Sequence, residues 1–361
     1  MAKRFPLAKI PLALFILTFV FNTFFLIPVT HASLRNILIG GAVEYFYLRE
    51  TLLYAHNKQS NEIMSGYKKE YGVNNDERAT EVLDSVMHRL LGSIDPKGTI
   101  KPKFSWFINN QTSFNAFCGL GHNVSVNIGL FNYLNYNEDE IAFVLAHELV
   151  HGMKLHALSS LPKLVSFSVV QALYLEKNPG TVSYITSYII NRNLVANYAT
   201  LPQEKEADAN SFAYATGAGY NPGAGAAIWS RVTAKMGDNA HSSFENVVNP
   251  NDHPTNKQRI DYFSKRMEEY SNGKVKVVKG MVYVKGEPWA TPAAAGELLA
   301  EERAYFVAGN LAAIFHTTSE AGRAELTDGV IKINDQTIMT PTSNDLDADE
   351  LVNRLNTIIG L

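Results

Sequence analysis

Apolar positions recur along this chain at two different periods, and the changes of period mark out its elements. From Leu34 to Leu91 they fall at helical spacing, which predicts two or three helices, with Asn74-Asn75-Asp76-Glu77 opening the one that ends near Gly92. Phe104 to Ile108 and Val124 to Ile128 are short β-prone runs separated by the turn Gly119-Leu120-Gly121, so a small sheet is expected there. A helix with a clear start follows: Asn137 can cap free backbone donors, Glu140 lies three residues on, and Glu138 and Asp139 favour the positive end of the dipole. Its core, Ile141 to Ala146, is an unbroken apolar run. Leu161 to Leu201 is rich in Val, Ile, Leu and Tyr, but Lys163, Glu176, Lys177 and Arg192 cut it into pieces too short to span a bilayer; buried and membrane-facing helices both fit. Thr200-Leu201-Pro202 opens a further helix that Gly217 and Gly219 close.

After about residue 272 the pattern becomes β-like, and one segment returns. Gly280 to Pro292 aligns without a gap on Gly329 to Pro341, sharing the apolar alternation, a turn and a closing Thr-Pro, with a helical stretch after each copy. The expected fold is therefore α+β: a mainly helical domain with a small sheet over residues 33–271, then a small α/β module over 272–361 built of two hairpin-plus-helix units.

The first 32 residues read as an export signal, with a basic start, an apolar stretch and Thr30-His31-Ala32 before Ser33, so cleavage is expected after Ala32. That places the protein outside the cytoplasm, periplasmic or at the cell envelope. The rival expectation is an uncleaved membrane anchor, because residues 10–29 are long enough to cross a bilayer. The formal net charge is −3; taking Lys3, Arg4 and Lys9 from the 32 basic residues leaves 29 against 35 acidic, a net −6. Such a balance excludes nucleic acid as a partner. Cys118 is the only cysteine, so no intramolecular disulfide can form.

The candidate chemistry sits at the end of the apolar run, in His147-Glu148-Leu149-Val150-His151. Two imidazoles four residues apart face the same way from a helix, and a polar pair following so apolar a stretch is costly unless satisfied, as a metal would satisfy it. A catalytic zinc wants three protein ligands and an open position for water. His147, His151 and Glu204 would supply the three, one zinc per chain, with Glu148 accepting a proton from the water and passing it to the leaving amine. Asp208, one turn from Glu204, is placed to accept the outer N–H of a ligand histidine. Glu206 lies about 200° around the helix from Glu204, and His156 is about half a turn out of phase with His147, so neither is expected as a ligand. His253, before Pro254, reads on the residues alone as an exposed loop histidine.

Together these residues resemble the M48 family of zinc metallopeptidases over roughly Asn61 to Met267. The resemblance is carried by Ser113-Phe114-Asn115-Ala116-Phe117, Val124 to Leu130, His147 to His151, Glu204-Lys205-Glu206-Ala207-Asp208, and His253-Pro254 followed by Arg259-Ile260. It implies a zincin-like, mainly helical peptidase domain with Glu204 as third ligand. It also implies that the strand Asn123 to Ile128, with Val124 and Val126, pairs with an extended substrate, that Asn115 lies near that substrate, and that His253 can approach the metal. The sequence departs from the family pattern at Leu201, Ser211 and Cys118-Gly119-Leu120. The expected activity is zinc-dependent endoproteolysis of unfolded or misassembled envelope polypeptides; the other class that fits is a client-binding assembly factor with a structural zinc.

Overall fold

The computed structural model describes residues 46, 49, 50, 52–159, 199–236, 254–318 and 320–361. The expected export signal, the alternative anchor at 10–29, His253 and most of the apolar run after Leu161 lie outside the described residues. Among the described residues, no helix is long and apolar enough to cross a membrane.

Two helices come first, α1 (Ser60–Tyr71) and α2 (Glu77–Ile94). The Asp76 carboxylate accepts the Ala79 N–H at the start of α2, as the local sequence predicts. Then come β1 (Ser105–Asn109), β2 (Ala116–Gly119), a single 3-10 turn and β3 (Asn123–Asn127). β1 and β3 match the two expected runs, whereas β2 is too short and mixed to show a period of two. The strand order is β1-β3-β2, with β3 parallel to β1 and antiparallel to β2. Successive side chains leave the sheet on opposite faces. Phe107 and Phe117 pack with Ile63, Met64 and Tyr67 of α1, while Ile108, Ala116, Val124 and Val126 join the larger core under the histidine helix.

After α3 (Ile128–Tyr133) comes that helix, α4 (Glu138–Met153), whose N-cap Asn137 accepts the Glu140 N–H. It packs against β2, α2 and α5 (Leu201–Gly217), then α6 (Ala224–Met236) and α7 (Asn256–Tyr270) complete the layer. Gly152 lets α4 approach β2 closely: a Cβ there would lie 2.7 Å from Cys118 Sγ.

The repeated segment is a repeat in three dimensions. β4 (Val275–Val278), β5 (Met281–Val284) and β6 (Glu287–Ala290) form one antiparallel meander, followed by α8 (Ala300–Thr317). β7 (Ala324–Thr327), β8 (Val330–Ile333) and β9 (Gln336–Met339) form the other, followed by α9 (Ala348–Ile359). Each copy thus has three strands where the pattern predicts two. Both carry a register shift at the same place, Val282/Tyr283 and Ile331/Lys332. Both turn through paired positive-φ residues, Lys279-Gly280 and Asp328-Gly329, the backbone that matches strand twist in two-residue hairpins. α8 also packs on α6 and α7, joining this unit to the rest of the core.

Candidate metal centre

The site is made where α4 and α5 pack face to face, with small buried residues such as Ala146 and Ala207 in the seam. His147 and His151 leave α4 one turn apart, and their Nε2 atoms lie 3.0 Å from each other. Glu204, in the first turn of α5, spans both: its Oε2 is 3.4 Å from His147 Nε2 and its Oε1 is 3.3 Å from His151 Nε2. The Gln203 side chain accepts the Thr200 N–H and fixes that turn, and the positive end of the helix favours the ionised Glu204 carboxylate.

These distances test whether a metal fits. A tetrahedral ion with ligand bonds of about 2.0–2.1 Å holds its donor atoms about 3.3 Å apart. The two imidazole nitrogens and the carboxylate match that spacing, and among the described residues this is the group that could hold a metal ion. The donor chemistry agrees. Burial lowers the His151 pKa, which keeps that ring neutral and able to donate a lone pair. Burial also opposes charge on His147, but the Asp208 and Glu204 carboxylates overcome it and lift the ring to about 10. Carboxylates that hold a proton so firmly mark a point of strongly negative potential, the place for a cation.

Around the donors stands a set of orienting groups. His147 Nδ1 lies 2.9 Å from Asp208 Oδ1, the partner the sequence assigns to it. Arg259 of α7 donates from Nε to Asp208 Oδ2 at 2.9 Å and from Nη2 to Glu204 Oε2 at 3.1 Å, with its guanidinium over the Trp229 ring. Ser211 is fully buried, and its hydroxyl donates to the Asp208 carbonyl. Glu148 is 5% exposed; its Oε2 accepts the Cys118 N–H at 3.1 Å, and burial raises its carboxyl to about 7.

One expectation is corrected. β3 is the central strand, hydrogen-bonded on both sides, with Val124 and Val126 fully buried, so an extended peptide has no edge to join there. The strand that meets α4 is β2. Because the Asn115 carbonyl accepts the Asn127 N–H, alternation along β2 turns the backbone of Ala116 and Cys118 away from β3, and Cys118 N–H indeed reaches Glu148. Asn115 stands at the head of β2, and its buried Oδ1 meets no hydrogen-bond partner among the described residues. Two residues set aside as ligands also come close. His156 lies behind His151, with Nδ1 2.9 Å from His151 Nδ1, and Glu206 accepts from both Lys154 and His156.

A helix-borne histidine pair and a carboxylate from a second helix form a group that could hold a metal ion, with a buried glutamate beside it. The profile of peptidase family M48 matches residues 77–267, more than half of the chain, and the chain belongs to that family. It is similar to the beta-barrel assembly-enhancing protease of Escherichia coli K12, 34% identical over 82 residues, which are 23% of this chain and 16% of that protein. The Shigella flexneri protein of the same name matches with the same figures, and that of Yersinia pestis is 32% identical over 77 residues, 21% of this chain and 15% of the relative. The matched stretch thus spans about a sixth of the length of these curated relatives.

Proposed function

We propose that the protein is a zinc endopeptidase, with one ion held by His147, His151 and Glu204, that cuts unfolded or misassembled polypeptides at the cell envelope. The observation that carries the reading is the convergence of His147, His151 and Glu204, whose ligand atoms all lie within 4.8 Å of one another, beside the buried Glu148 carboxylate. When bound, zinc supplies a Lewis acid that polarises the scissile carbonyl and acidifies water.

The chain's own residues do the rest. Glu148 takes the proton from the attacking water and returns it to the leaving amine, and burial, which raises its carboxyl, favours its holding that proton between the two transfers. Asp208 fixes the His147 ring through Nδ1, and Arg259 holds Asp208 and Glu204 in place. An extended peptide would pair with the outward backbone of β2 at Ala116, and the unpartnered Asn115 Oδ1 would take one of its N–H groups. Backbone pairing holds many sequences, as a protease of unfolded clients needs. The names of the E. coli and Y. pestis relatives favour proteins caught during β-barrel assembly as the client class.

Glu148→Gln tests the reading. It should keep zinc and lower cleavage of an unfolded test protein by about 10²–10⁴-fold. Retained cleavage would overturn the mechanism, and complementation of a deletion strain by the inactive variant would favour the assembly-factor reading instead.

A further inference from the structure

His151 uses both ring nitrogens. Its Nε2 faces Glu204, and its Nδ1 lies 2.9 Å from Nδ1 of His156, which is 4% exposed. On its far side His156 places Nε2 3.3 Å from Glu206 Oε2, and Lys154 Nζ holds Glu206 Oε1 at 2.7 Å.

Two ring nitrogens at that distance share one proton, and chemistry decides who owns it. If Nε2 of His151 ligates the metal, its proton is on Nδ1, so His151 donates and His156 Nδ1 accepts. The proton of neutral His156 is then on Nε2, pointed at Glu206. Every hydrogen bond in the chain from His151 to Lys154 is satisfied by that one assignment. We propose that His156 is a positioning residue that orients and polarises His151 through this relay, with Glu206 as its anionic end. The inference rests on the zinc reading above.

The backbone explains how a residue out of helical phase arrives there. α4 ends at Met153, Leu155 takes a positive φ of 52°, and a new helical turn begins at His156. The reversal folds His156 back onto the helix it has just left. Ser159 of the same turn donates to the His156 carbonyl and accepts from Gln203 of α5, which pins the turn to the element carrying Glu204. The two ligand histidines are thereby unequally backed: His147 rests directly on a carboxylate, and His151 reaches one only through a neutral ring.

The test is zinc affinity of the full-length protein, by competition with a chelating indicator, in His156→Leu, His156→Asn and Glu206→Gln. Leucine removes the acceptor, whereas the asparagine carbonyl can replace Nδ1. His156→Leu should weaken zinc by about 10–100-fold and His156→Asn should recover most of that loss, with Glu206→Gln intermediate. In zinc-loaded protein labelled with ¹⁵N-histidine, the His151 Nδ1–H signal should shift in His156→Leu and the His147 signal should not. Unchanged zinc affinity in His156→Leu, with wild-type zinc bound tightly, would overturn this inference alone. Equal loss in the leucine and asparagine variants, with an equally lowered thermal midpoint after chelation, would show plain packing and also overturn it. Wild-type protein that binds no zinc would remove the site reading, and this inference with it.

Discussion

Helix α4 carries buried acid near both ends, and the two ends handle it differently. Near its start, Glu140 shares a fully buried cluster with Arg231 of α6 and Glu302 of α8. Arg231 bonds Glu302 through Nε and Nη2, Glu140 through Nη2, and the Tyr133 carbonyl through Nη1. Two turns on, Glu148 stands with Glu204 and Asp208 beside two imidazoles, and the guanidinium there, Arg259, bonds Asp208 Oδ2 and Glu204 Oε2 while Asp208 Oδ1 and Glu204 Oε1 face the imidazoles. In the first cluster a permanent cation occupies the centre. Its surplus negative charge is met by a proton, since burial and then Glu302 push the Glu140 carboxyl well above the usual range. In the second, the centre is lined by lone pairs. The two clusters differ in what stands between the carboxylates: a guanidinium in the first, two imidazoles in the second.

The comparison predicts opposite consequences for breaking each cluster. Arg231→Met leaves two carboxylates buried without their partner and should cost about 3–5 kcal/mol of stability, read by urea unfolding, while turnover per folded molecule stays near wild type. Lost turnover with stability intact would mean that the two ends of α4 are not separable.

How much of this was legible in the sequence follows the same division. His147, Glu148, His151 and the Glu204–Asp208 pair could be placed because each group lies within one helix, where spacing alone sets direction. The start of α4 was legible too, from Asn137 and the acids after it. His156 is no member of the ligand group, as its phase predicts, but its place behind His151 was not legible because phase arguments hold only while the helix lasts, and α4 stops three residues short of it. The central position of β3 was hidden because strand order is settled by pairing between distant segments, and β2 is too short to show a period. Nothing local links Glu140, Arg231 and Glu302, which are up to 162 positions apart by number; only packing of α6 and α8 against α4 and each other assembles them.

Next in size is the effect of the metal on stability. Zinc at about a hundred times its dissociation constant should raise stability by about 2.7 kcal/mol, and a chelator should abolish cleavage and remove that increment. In Arg231→Met the increment should persist, because the ligands do not touch that cluster. A metal increment that vanishes there would join the two ends after all.

Smaller again is Asp208→Asn, which keeps the shape but removes the charge behind His147. Zinc should bind about 10–100-fold more weakly, read by competition with a chelating indicator. An unchanged zinc affinity would make Asp208 a structural partner of Arg259, closer in kind to Glu302.

The smallest effect tests whether a proton really completes the Arg231 cluster. The Glu140 carboxyl has a folded pKa above its unfolded value, so the folded chain holds a proton that the unfolded chain releases. Its contribution to stability is fully present below the unfolded carboxylate range and is lost as pH rises toward the folded pKa. Glu140→Gln keeps an oxygen for Arg231 and cannot ionise, so it removes this slope. Wild type and variant should agree within about 1 kcal/mol near pH 4, below the unfolded carboxylate range. As pH rises to about 8 the wild-type curve should fall relative to that of the variant, read by thermal midpoints. Parallel curves would show an ionised Glu140 in a cluster with two negative partners for one guanidinium. The start of α4 would then carry uncompensated charge like the metal site, and the proton could no longer be what distinguishes them.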